Sequence, residues 1–164
     1  MNKIQAEILG ILKENARVSL TDLASMLNIS EAEAQQIIQD LEDRKIINKY
    51  TVIIDEKKFP NPPKKVRAVI ELSIRPEKRA GFEKIAERIA RFKQVVDHYL
   101  ISGRYDFLLI VEGESLEEIS SFVAEKLASI DNVKSTCTNF IMRKYKENGS
   151  VFEEEQIHRL PVSP

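Results

Sequence analysis

Three glutamine side chains in one short stretch are the residues best suited to recognise another molecule. Gln35, Gln36 and Gln39 share the outer face of a helix, provided that this stretch is helical. A glutamine amide both donates and accepts hydrogen bonds, which suits a bidentate pair with adenine in the major groove of DNA. Three such groups on one face are candidate base readers where the helix is part of a DNA-binding unit, and the alternative is a plain helical packing unit.

The sequence offers few residues for metal binding or nucleophilic catalysis. Its two histidines, His98 and His158, are widely spaced, and Cys137 is the only cysteine. No catalytic triad and no metal-ligand set can be assembled from them, and one cysteine cannot form an internal disulfide. We expect His98 to be packed or to face a second subunit, and Cys137 to be a small buried hydrophobe.

Composition indicates a soluble, core-forming protein. The chain has 164 residues, 43% of them hydrophobic, with 25 basic and 26 acidic groups and a net charge of −1. This length suits one large domain or two small ones. The longest apolar run, Phe107–Val111, is far shorter than the ~20 residues that a membrane-spanning helix needs. The charged amino terminus does not resemble a signal peptide, so we expect a cytoplasmic protein without a membrane partner.

A proline-rich stretch divides the sequence. Three of the six prolines fall within the four residues from Pro60 to Pro63, where no strand ladder can continue. We therefore predict domains at 1–55 and 66–146, joined by a linker at 56–65 and followed by an acidic tail at 147–164. The tail is expected to be a short helix or a flexible end.

The first domain has the pattern of a helix-turn-helix. An apolar helical face runs from Ile4 to Leu12, and two further helices are predicted to begin at the N-caps Ser19 and Ser30. Only Asn28 and Ile29 separate these helices, so they must cross steeply and share one core. The β-branched stretch 45–55 predicts a small hairpin beside them, which would make the unit winged.

The second domain alternates strands and helices in the order βαββαβ. Strands are predicted at 66–74, 95–102, 105–112 and 133–142, with helices at 79–92 and 115–130. Two interleaved strand-helix-strand units give an antiparallel sheet with both helices on one face, a ferredoxin-like α+β fold. Apolar residues occur on both sides of the predicted strands. The face without helices is therefore expected to pack against the sheet of a second subunit.

This order of parts resembles the Lrp/AsnC family, the feast/famine transcription regulators. The likeness covers nearly the whole chain. In the first domain it rests on Asn15-Ala16-Arg17-x-Ser19, Asp22-Leu23-Ala24, Ile29-Ser30, Leu41-Glu42 and Ile46-Ile47-x-Lys49-Tyr50-x-x-x-x-Asp55. In the second it rests on Gly103-Arg104-Tyr105-Asp106-Phe107, Leu109, Val111 and Thr136-x-Thr138. All these short motifs occur in order, which makes the resemblance specific.

The resemblance implies a transcription regulator that binds double-stranded DNA. The third helix would enter the major groove, and flanking basic groups would contact the backbone. The candidate DNA-binding residues are Arg17, Ser30, Glu31, Ala32, Gln35, Gln36, Gln39, Arg44, Lys45 and Lys49. Residues 30–43 depart from the family because they contain five acids and no arginine, with Ile37 where the family typically has arginine. We therefore expect weak DNA binding per dimer, strengthened by multivalency.

The resemblance also implies a small effector, usually an amino acid, and no cofactor. Backbone amides near Gly103 can receive a carboxylate, and Asp106 can receive an ammonium group. The candidate effector-binding residues are Tyr99, Ser102, Gly103, Arg104, Tyr105, Asp106, Thr136 and Thr138. Taken alone, the loop is equally a hairpin in which Gly103 has a positive φ and Asp106 caps a backbone amide. We expect a dimer that assembles further, for example into an octamer.

Two alternatives remain open. The acidic third helix fits an amino-acid-sensing or co-regulatory subunit that has lost DNA binding. The siroheme decarboxylases also resemble this family, and such an enzyme would need basic and histidine side chains around a large apolar cleft. Here only His98 lies in a plausible place, so we expect a regulator rather than an enzyme.

Overall fold

The computed structural model describes residues 2–62, 65–75 and 81–152, and it divides the chain into two compact units. The first unit comprises residues 1–54 and the second comprises residues 55–164. In the part of the chain that is described, no helix has both the length and the apolar character needed to cross a membrane.

The first unit contains three helices, α1 (Lys3–Glu14), α2 (Leu20–Leu27) and α3 (Glu31–Asp43). Each begins at a residue whose side chain accepts a backbone N–H of the first turn, namely Asn2, Ser19 and Ser30. These contacts satisfy N–H groups that have no partner within the helix. The two serine caps predicted from the sequence are therefore confirmed.

A tight turn joins α2 to α3 and brings their apolar faces together. Asn28 takes a left-handed conformation with φ of 54°, which ends α2, and the Ile29 N–H bonds to the Ala24 carbonyl at 3.1 Å. The core of the unit consists of Ile8, Leu23, Ala24, Ala34 and Leu41. Ile37 and Ile38 pack against this core. The predicted helix-turn-helix is therefore formed.

The single chain does not form the hairpin predicted at 45–55, so this prediction is wrong. Lys45 has φ of 56°, and the N–H groups of Ile46 and Ile47 bond back to the Leu41 carbonyl, which turns the chain after α3. Residues 48–54 form no strand, and Val52 is 73% exposed. The stretch lacks the Asn-Gly or Asp-Gly turn that favours a hairpin, and an isolated two-stranded hairpin is only marginally stable in water.

The second unit contains a four-stranded antiparallel sheet. The strands are β1 (Val66–Ile74), β2 (Val95–Leu100), β3 (Phe107–Gly113) and β4 (Val133–Phe140), in the spatial order β2-β3-β1-β4. This order confirms the ferredoxin-like prediction. The observed β2 ends two residues early, β3 starts two residues late and β4 ends two residues early. The chain leaves β2 for the loop that contains Ser102 and Gly103.

Two helices cover one face of the sheet. They are α4 (Glu83–Ala90) and α5 (Leu116–Phe122), and α5 continues as a π-helical turn, Val123–Leu127. Gly81 has φ of 57°, so α4 begins later than the predicted position 79, and residues 79–80 lie outside the described residues. Leu116, in the first turn of α5, is exposed.

Alternation along the strands places the core on the helix side. Ala68, Ile70, Leu72 and Ile74 of β1 are buried with Phe107, Leu109 and Val111 of β3. The inward residues of α4 and α5 complete this cluster, and they are Ile85, Ile89, Ile119, Phe122, Val123 and Leu127. The opposite face of the sheet carries Val69, Leu108 and Ile110, and we call it the open face.

A short hairpin follows the sheet. It consists of β5 (Lys146–Glu147) and β6 (Ser150–Val151), joined by Asn148 and Gly149, both with positive φ. Such a turn matches the right-handed twist of paired strands. The predicted tail begins within this hairpin, and residues 153–164 lie outside the described residues.

Candidate functional site

The outer face of α3 is available for contact with another molecule. Gln35, Gln36 and Gln39 are all exposed, as are Glu31 and Ala32, while Ala34 and Leu41 are buried on the opposite side. The Gln39 amide nitrogen donates to Asp43 Oδ1 at 3.0 Å. This hydrogen bond orients the Gln39 amide, and it leaves the Gln35 and Gln36 side chains free to turn.

The acidic residues of α3 fall into two groups. At the C-terminal end, Asp40 pairs with Arg44 at 2.9 Å, Glu42 accepts from the Tyr50 hydroxyl at 2.8 Å, and Asp43 accepts from Gln39. At the N-terminal end, Glu31 and Glu33 are exposed in the first turn. The helix dipole stabilises acids at that end, but the same acids would repel a DNA phosphate.

The Tyr50 hydroxyl ties the segment after α3 back to the helix. Burial is the main cause that raises the pKa of Tyr50, and the hydrogen bond to Glu42 raises it further. The hydroxyl therefore stays protonated at neutral pH and continues to donate. This contact fixes Tyr50 although the predicted hairpin is absent.

The remaining predicted DNA-binding residues differ in how freely they could contact DNA. Arg17, Lys45 and Lys49 are exposed. Ser30 is the N-cap of α3, and its Oγ accepts from the Glu33 N–H at 3.1 Å, so this oxygen already has a partner. Arg44 forms an ion pair with Asp40, and this pairing reduces the positive charge that Arg44 can offer to a phosphate.

The loop from Ser102 to Asp106 is anchored by its last residue. Asp106 Oδ2 accepts from the Ile74 N–H at 2.7 Å, and the Asp106 N–H donates to the Leu72 carbonyl at 3.0 Å. The predicted capping role of Asp106 is therefore confirmed. Positive φ was predicted for Gly103, and this is wrong, because only Gly81 and Gly149 have it among the glycines. A side chain at Gly103 would meet open space.

Other predicted effector residues flank this loop. Ser102, Gly103 and Arg104 are exposed, and the Arg104 guanidinium lies 5.5 Å from the centre of the Tyr105 ring. Tyr105 is half-buried. The loop thus offers a cation and backbone groups to solvent while Asp106 holds it in place.

A single chain does not bring all predicted effector residues together. Tyr99 of β2 is paired with Leu108 on the open face, whereas Thr136 and Thr138 of β4 are paired with Leu72 and Ile70 on the helix side. The strands β2 and β4 are opposite edges of the sheet, three strand spacings of about 4.8 Å apart. Thr136 nevertheless lies at the same end of the sheet as the loop.

A cavity that no sequence motif marks lies at this end of the sheet. The cavity has a volume of about 390 Å³, and the residues that line it include Arg75, Asp131 and Lys134. The Arg75 N–H donates to the Asn132 carbonyl at 2.8 Å, which joins the end of β1 to the start of β4. No local motif marks these residues, because Arg75 and Lys134 are 59 positions apart and only the pairing of β1 with β4 brings them to one end of the sheet.

His98 packs on the helix side of β2. Its ring lies 4.7 Å from the Phe107 ring in an edge-on arrangement, and its Nε2 is buried without a hydrogen-bond partner in the described part of the chain. Burial lowers the pKa of His98. The expectation of a packed histidine is confirmed, whereas Cys137 is half-buried on the open face opposite Glu71.

Charged residues connect the C-terminal hairpin to the other end of β1. Arg67 contacts Glu112 of β3, and its Nη1 donates to Glu147 Oε1 at 2.8 Å. Lys144 pairs with the other oxygen of Glu147 at 2.6 Å. The hydrogen bond from Lys144, together with Arg67, lowers the pKa of Glu147 against the effect of burial. Among the described residues, no cluster of His, Cys, Asp and Glu could hold a metal ion.

Comparison with known proteins agrees with both halves of this description. Residues 67–151 match the model of the Lrp/AsnC ligand binding domain, and residues 1–48 match a winged helix-turn-helix DNA-binding model. The HTH-type transcriptional regulator YugG of Bacillus subtilis is 41% identical over 161 residues, covering 98% of this chain and 96% of that protein. LrpA of Pyrococcus abyssi is 32% identical over 139 residues, covering 85% and 94%.

Solved structures show the same fold. A transcriptional regulator from Neisseria meningitidis in complex with L-Met aligns with a TM-score of 0.68 and 24% identity, over 90% of this chain and 93% of that chain. The leucine response regulatory protein LrpA of Mycobacterium tuberculosis aligns with a TM-score of 0.72 and 17% identity, over 92% and 98%.

Proposed function

Because the chain belongs to the Lrp/AsnC family, we propose that this regulator reads a specific DNA sequence through α3 and responds to an amino acid. Its helix-turn-helix and ligand-binding domains, and its relatives, make it a transcriptional regulator rather than an enzyme. The observation that carries the proposal is the exposed glutamine face of α3. As a DNA-binding regulator, it would act in the cytoplasm.

The base contacts come from the exposed side of α3. Gln35 and Gln36 have free amides, and either can pair with adenine through one donor and one acceptor. Gln39 keeps one amide hydrogen on Asp43 and has its second hydrogen and its oxygen left. Glu31 and Ala32 complete this face, and they would contact cytosine amino groups and thymine methyl groups respectively.

Phosphate contacts come from residues that flank α3. Arg17, Lys45 and Lys49 are exposed and can contact the backbone, and the N–H groups at the Ser30 end of α3 can do the same. Residues 1–60 carry 8 basic and 10 acidic groups, so the phosphate contribution per subunit is small. Stable binding therefore requires several subunits on one DNA molecule.

Assembly is supported by the open face of the sheet. Val69, Leu108 and Ile110 are apolar there, and Val96 and Tyr99 on the edge strand are 48% and 52% exposed. Pairing two such faces around a two-fold axis removes this area from water. A two-fold dimer presents two α3 helices, which predicts a palindromic DNA site. Dimers then assemble into larger oligomers such as an octamer.

The effector acts at the end of the sheet near Asp106. The exposed backbone of Ser102–Arg104 suits a carboxylate, as does the Arg104 guanidinium, and Asp106 retains one oxygen for an ammonium group. The Neisseria regulator solved with L-Met supports an amino acid as the ligand class. The effector can change DNA affinity only if it binds one assembly state more tightly than another. The resulting coupling free energy is typically ~1 to 3 kcal/mol.

One observation favours a second candidate function. Glu31 and Glu33 are exposed at the end of α3 that would enter the groove first, and neither side chain has a cationic partner within residues 2–62, 65–75 and 81–152. A protein with this surface could sense an amino acid without binding DNA. It would act by joining a related DNA-binding subunit.

Selection from a randomised oligonucleotide pool distinguishes the two. The full-length protein should enrich one palindromic sequence, and the Gln35→Ala/Gln36→Ala variant should lose that preference while keeping the same melting temperature. The slope of log affinity against log salt should be small per subunit. Failure to enrich any sequence at low salt, together with a raised melting temperature on adding an amino acid, would establish the sensor instead.

A further inference from the structure

The cavity lined by Arg75, Asp131 and Lys134 lies at the same end of the sheet as the loop that is proposed to bind the effector. Asp106 Oδ2 accepts from the Ile74 N–H at the end of β1, and Arg75, the residue directly after β1, donates its N–H to the Asn132 carbonyl. Two consecutive residues thus contact the loop and a residue of the cavity lining. A ligand in the cavity is therefore a neighbour of the anchored end of the loop.

The charged side chains around the cavity have no neutralising partner among the described residues. Arg75, Asp131 and Lys134 line the cavity and are exposed. In the part of the chain that the structure describes, none of the three makes an ion pair or a side-chain hydrogen bond. Two cations and one anion are thus available to a ligand.

We propose that this cavity is a second amino-acid site beside the loop and is selective for an acidic amino acid, with Arg75 and Lys134 receiving its two carboxylates and Asp131 its ammonium group. The inference rests on the proposed amino-acid response and adds a ligand class to it. An acidic amino acid carries two negative charges and one positive charge, the complement of the three free side chains. Guanidinium and ammonium groups form strong, charge-assisted hydrogen bonds with carboxylates.

The position of the ammonium group follows from the end of α5. Ala128, Ser129 and Ile130 line the cavity just after the π-helical turn, at the C-terminal end of the helix. This end carries the partial negative charge of the helix dipole, so it favours a cation and disfavours a carboxylate. Asp131 adds its own charge there. The carboxylates are therefore directed away from α5, toward Arg75 at the end of β1 and Lys134 on β4.

A second cavity, at the opposite end of the sheet, differs in charge. It has a volume of about 210 Å³ and is lined by Lys65, Lys93, Glu112, Glu114 and Glu118 among others. Lys65 already pairs with Glu112 there at 3.4 Å, and acids outnumber bases. The larger cavity falls in the ~300 to 1,000 Å³ range of small-molecule sites, whereas the smaller one does not.

Isothermal titration calorimetry on the full-length protein tests the proposal with four probes. L-glutamate and L-aspartate are acidic amino acids, L-glutamine lacks the second carboxylate, and glutarate lacks the ammonium group. We expect L-glutamate or L-aspartate to bind about tenfold or more tightly than L-glutamine, because one charge-assisted hydrogen bond is lost. Arg75→Gln and Lys134→Gln should each weaken that binding by about tenfold. Asp131→Asn should weaken binding of the acidic amino acid and leave glutarate unaffected.

Lys93→Gln is the matched control, since it removes the same charge from the other cavity. It should leave binding unchanged. Equal binding of L-glutamine and L-glutamate, or unchanged L-glutamate binding in both Arg75→Gln and Lys134→Gln, would overturn the inference. Binding of L-leucine but of no acidic amino acid would overturn the inference while leaving the proposed function intact. If none of the twenty amino acids binds, the amino-acid response itself fails, and the DNA selection tests the rest separately.

Discussion

The carboxylate of Asp106 accepts a hydrogen bond from the Ile74 N–H at 2.7 Å, so the loop after β2 is attached to the end of β1 by one side chain. Asp106→Ala would leave a partly buried N–H without its partner, at a cost of about 1 to 3 kcal/mol in the free energy of unfolding. Urea denaturation of the full chain measures this loss. Asp106→Asn keeps an acceptor and should cost less, and equal losses in both variants would contradict the assigned contact.

Removing an acid from the first turn of α3 should strengthen DNA binding. Glu33→Gln removes a negative charge from the surface proposed to face the groove, and it leaves Glu31, the proposed cytosine contact, in place. Affinity should rise several-fold at low salt, and the gain should shrink as salt screens the charges. Gel retardation across a salt series measures this. Glu87→Gln, at an exposed position of α4, is the control, and a similar gain there would point to net charge alone.

A charge on the open face should prevent dimer formation. Ile110→Glu places a carboxylate among Val69 and Leu108, and burying it against a second subunit would cost several kcal/mol. Light scattering coupled to size-exclusion chromatography should show a shift toward monomer. Glu114→Gln, exposed at the end of β3, should leave the mass unchanged. If Ile110→Glu keeps the parental mass, subunits do not meet through this face.

His98 should make stability depend on pH. Burial lowers the pKa of His98 in the folded state, whereas in the unfolded chain it lies near ~6.5. As the pH falls through that value, the unfolded chain binds the additional proton, so the free energy of unfolding decreases. Thermal unfolding between pH 7.5 and pH 5.5 measures the decrease.

A matched variant isolates this effect. His98→Leu should have a flatter stability profile over the same pH range, because it removes the titrating group and keeps the contact with Phe107. If the profile of His98→Leu matches that of the parent protein, other groups cause the dependence.

The C-terminal hairpin should open more often when its charge contacts are removed. The hydrogen bond from Lys144, together with Arg67, lowers the pKa of Glu147, so this stabilisation is present at neutral pH and is lost as the pH falls through the folded pKa. Glu147→Gln should speed hydrogen exchange at the Phe152 N–H, which bonds to the Tyr145 carbonyl at 2.9 Å. Exchange in β1 should stay the same, and faster exchange there would indicate global destabilisation.

The sequence predicted those parts of the fold that depend on local signals. Ser19 and Ser30 marked helix starts because their hydroxyls cap amides three residues away, and alternation along 66–74 identified the buried side of β1. The prediction of a hairpin at 45–55 failed because β-branched residues alone supply neither a partner strand nor a turn. Gly81 delayed α4 through its positive φ, which composition does not reveal.

The candidate effector site was predicted only in part, because short motifs do not show which residues strand pairing brings together. Asp106 was found because it belongs to a short motif, and its bond to Ile74 matches the capping role expected for it. Arg75 and Lys134 are ordinary surface charges in the sequence, and only the pairing of β1 with β4 places them around one cavity. Tyr99 and Thr136 were grouped by motif although the sheet separates them by two intervening strands.

The strand β1 spans nine residues, which amounts to about 27 Å between its first and last Cα atoms. Arg75 follows one end and Arg67 lies near the other, so the cavity lined by Arg75 and the contacts to the C-terminal hairpin lie at opposite ends of one hydrogen-bonded strand. Both neighbours, β3 and β4, clamp this backbone along most of its length. The same strand therefore carries a cavity-lining residue beyond one end and, near the other, the arginine that contacts Glu112 and Glu147.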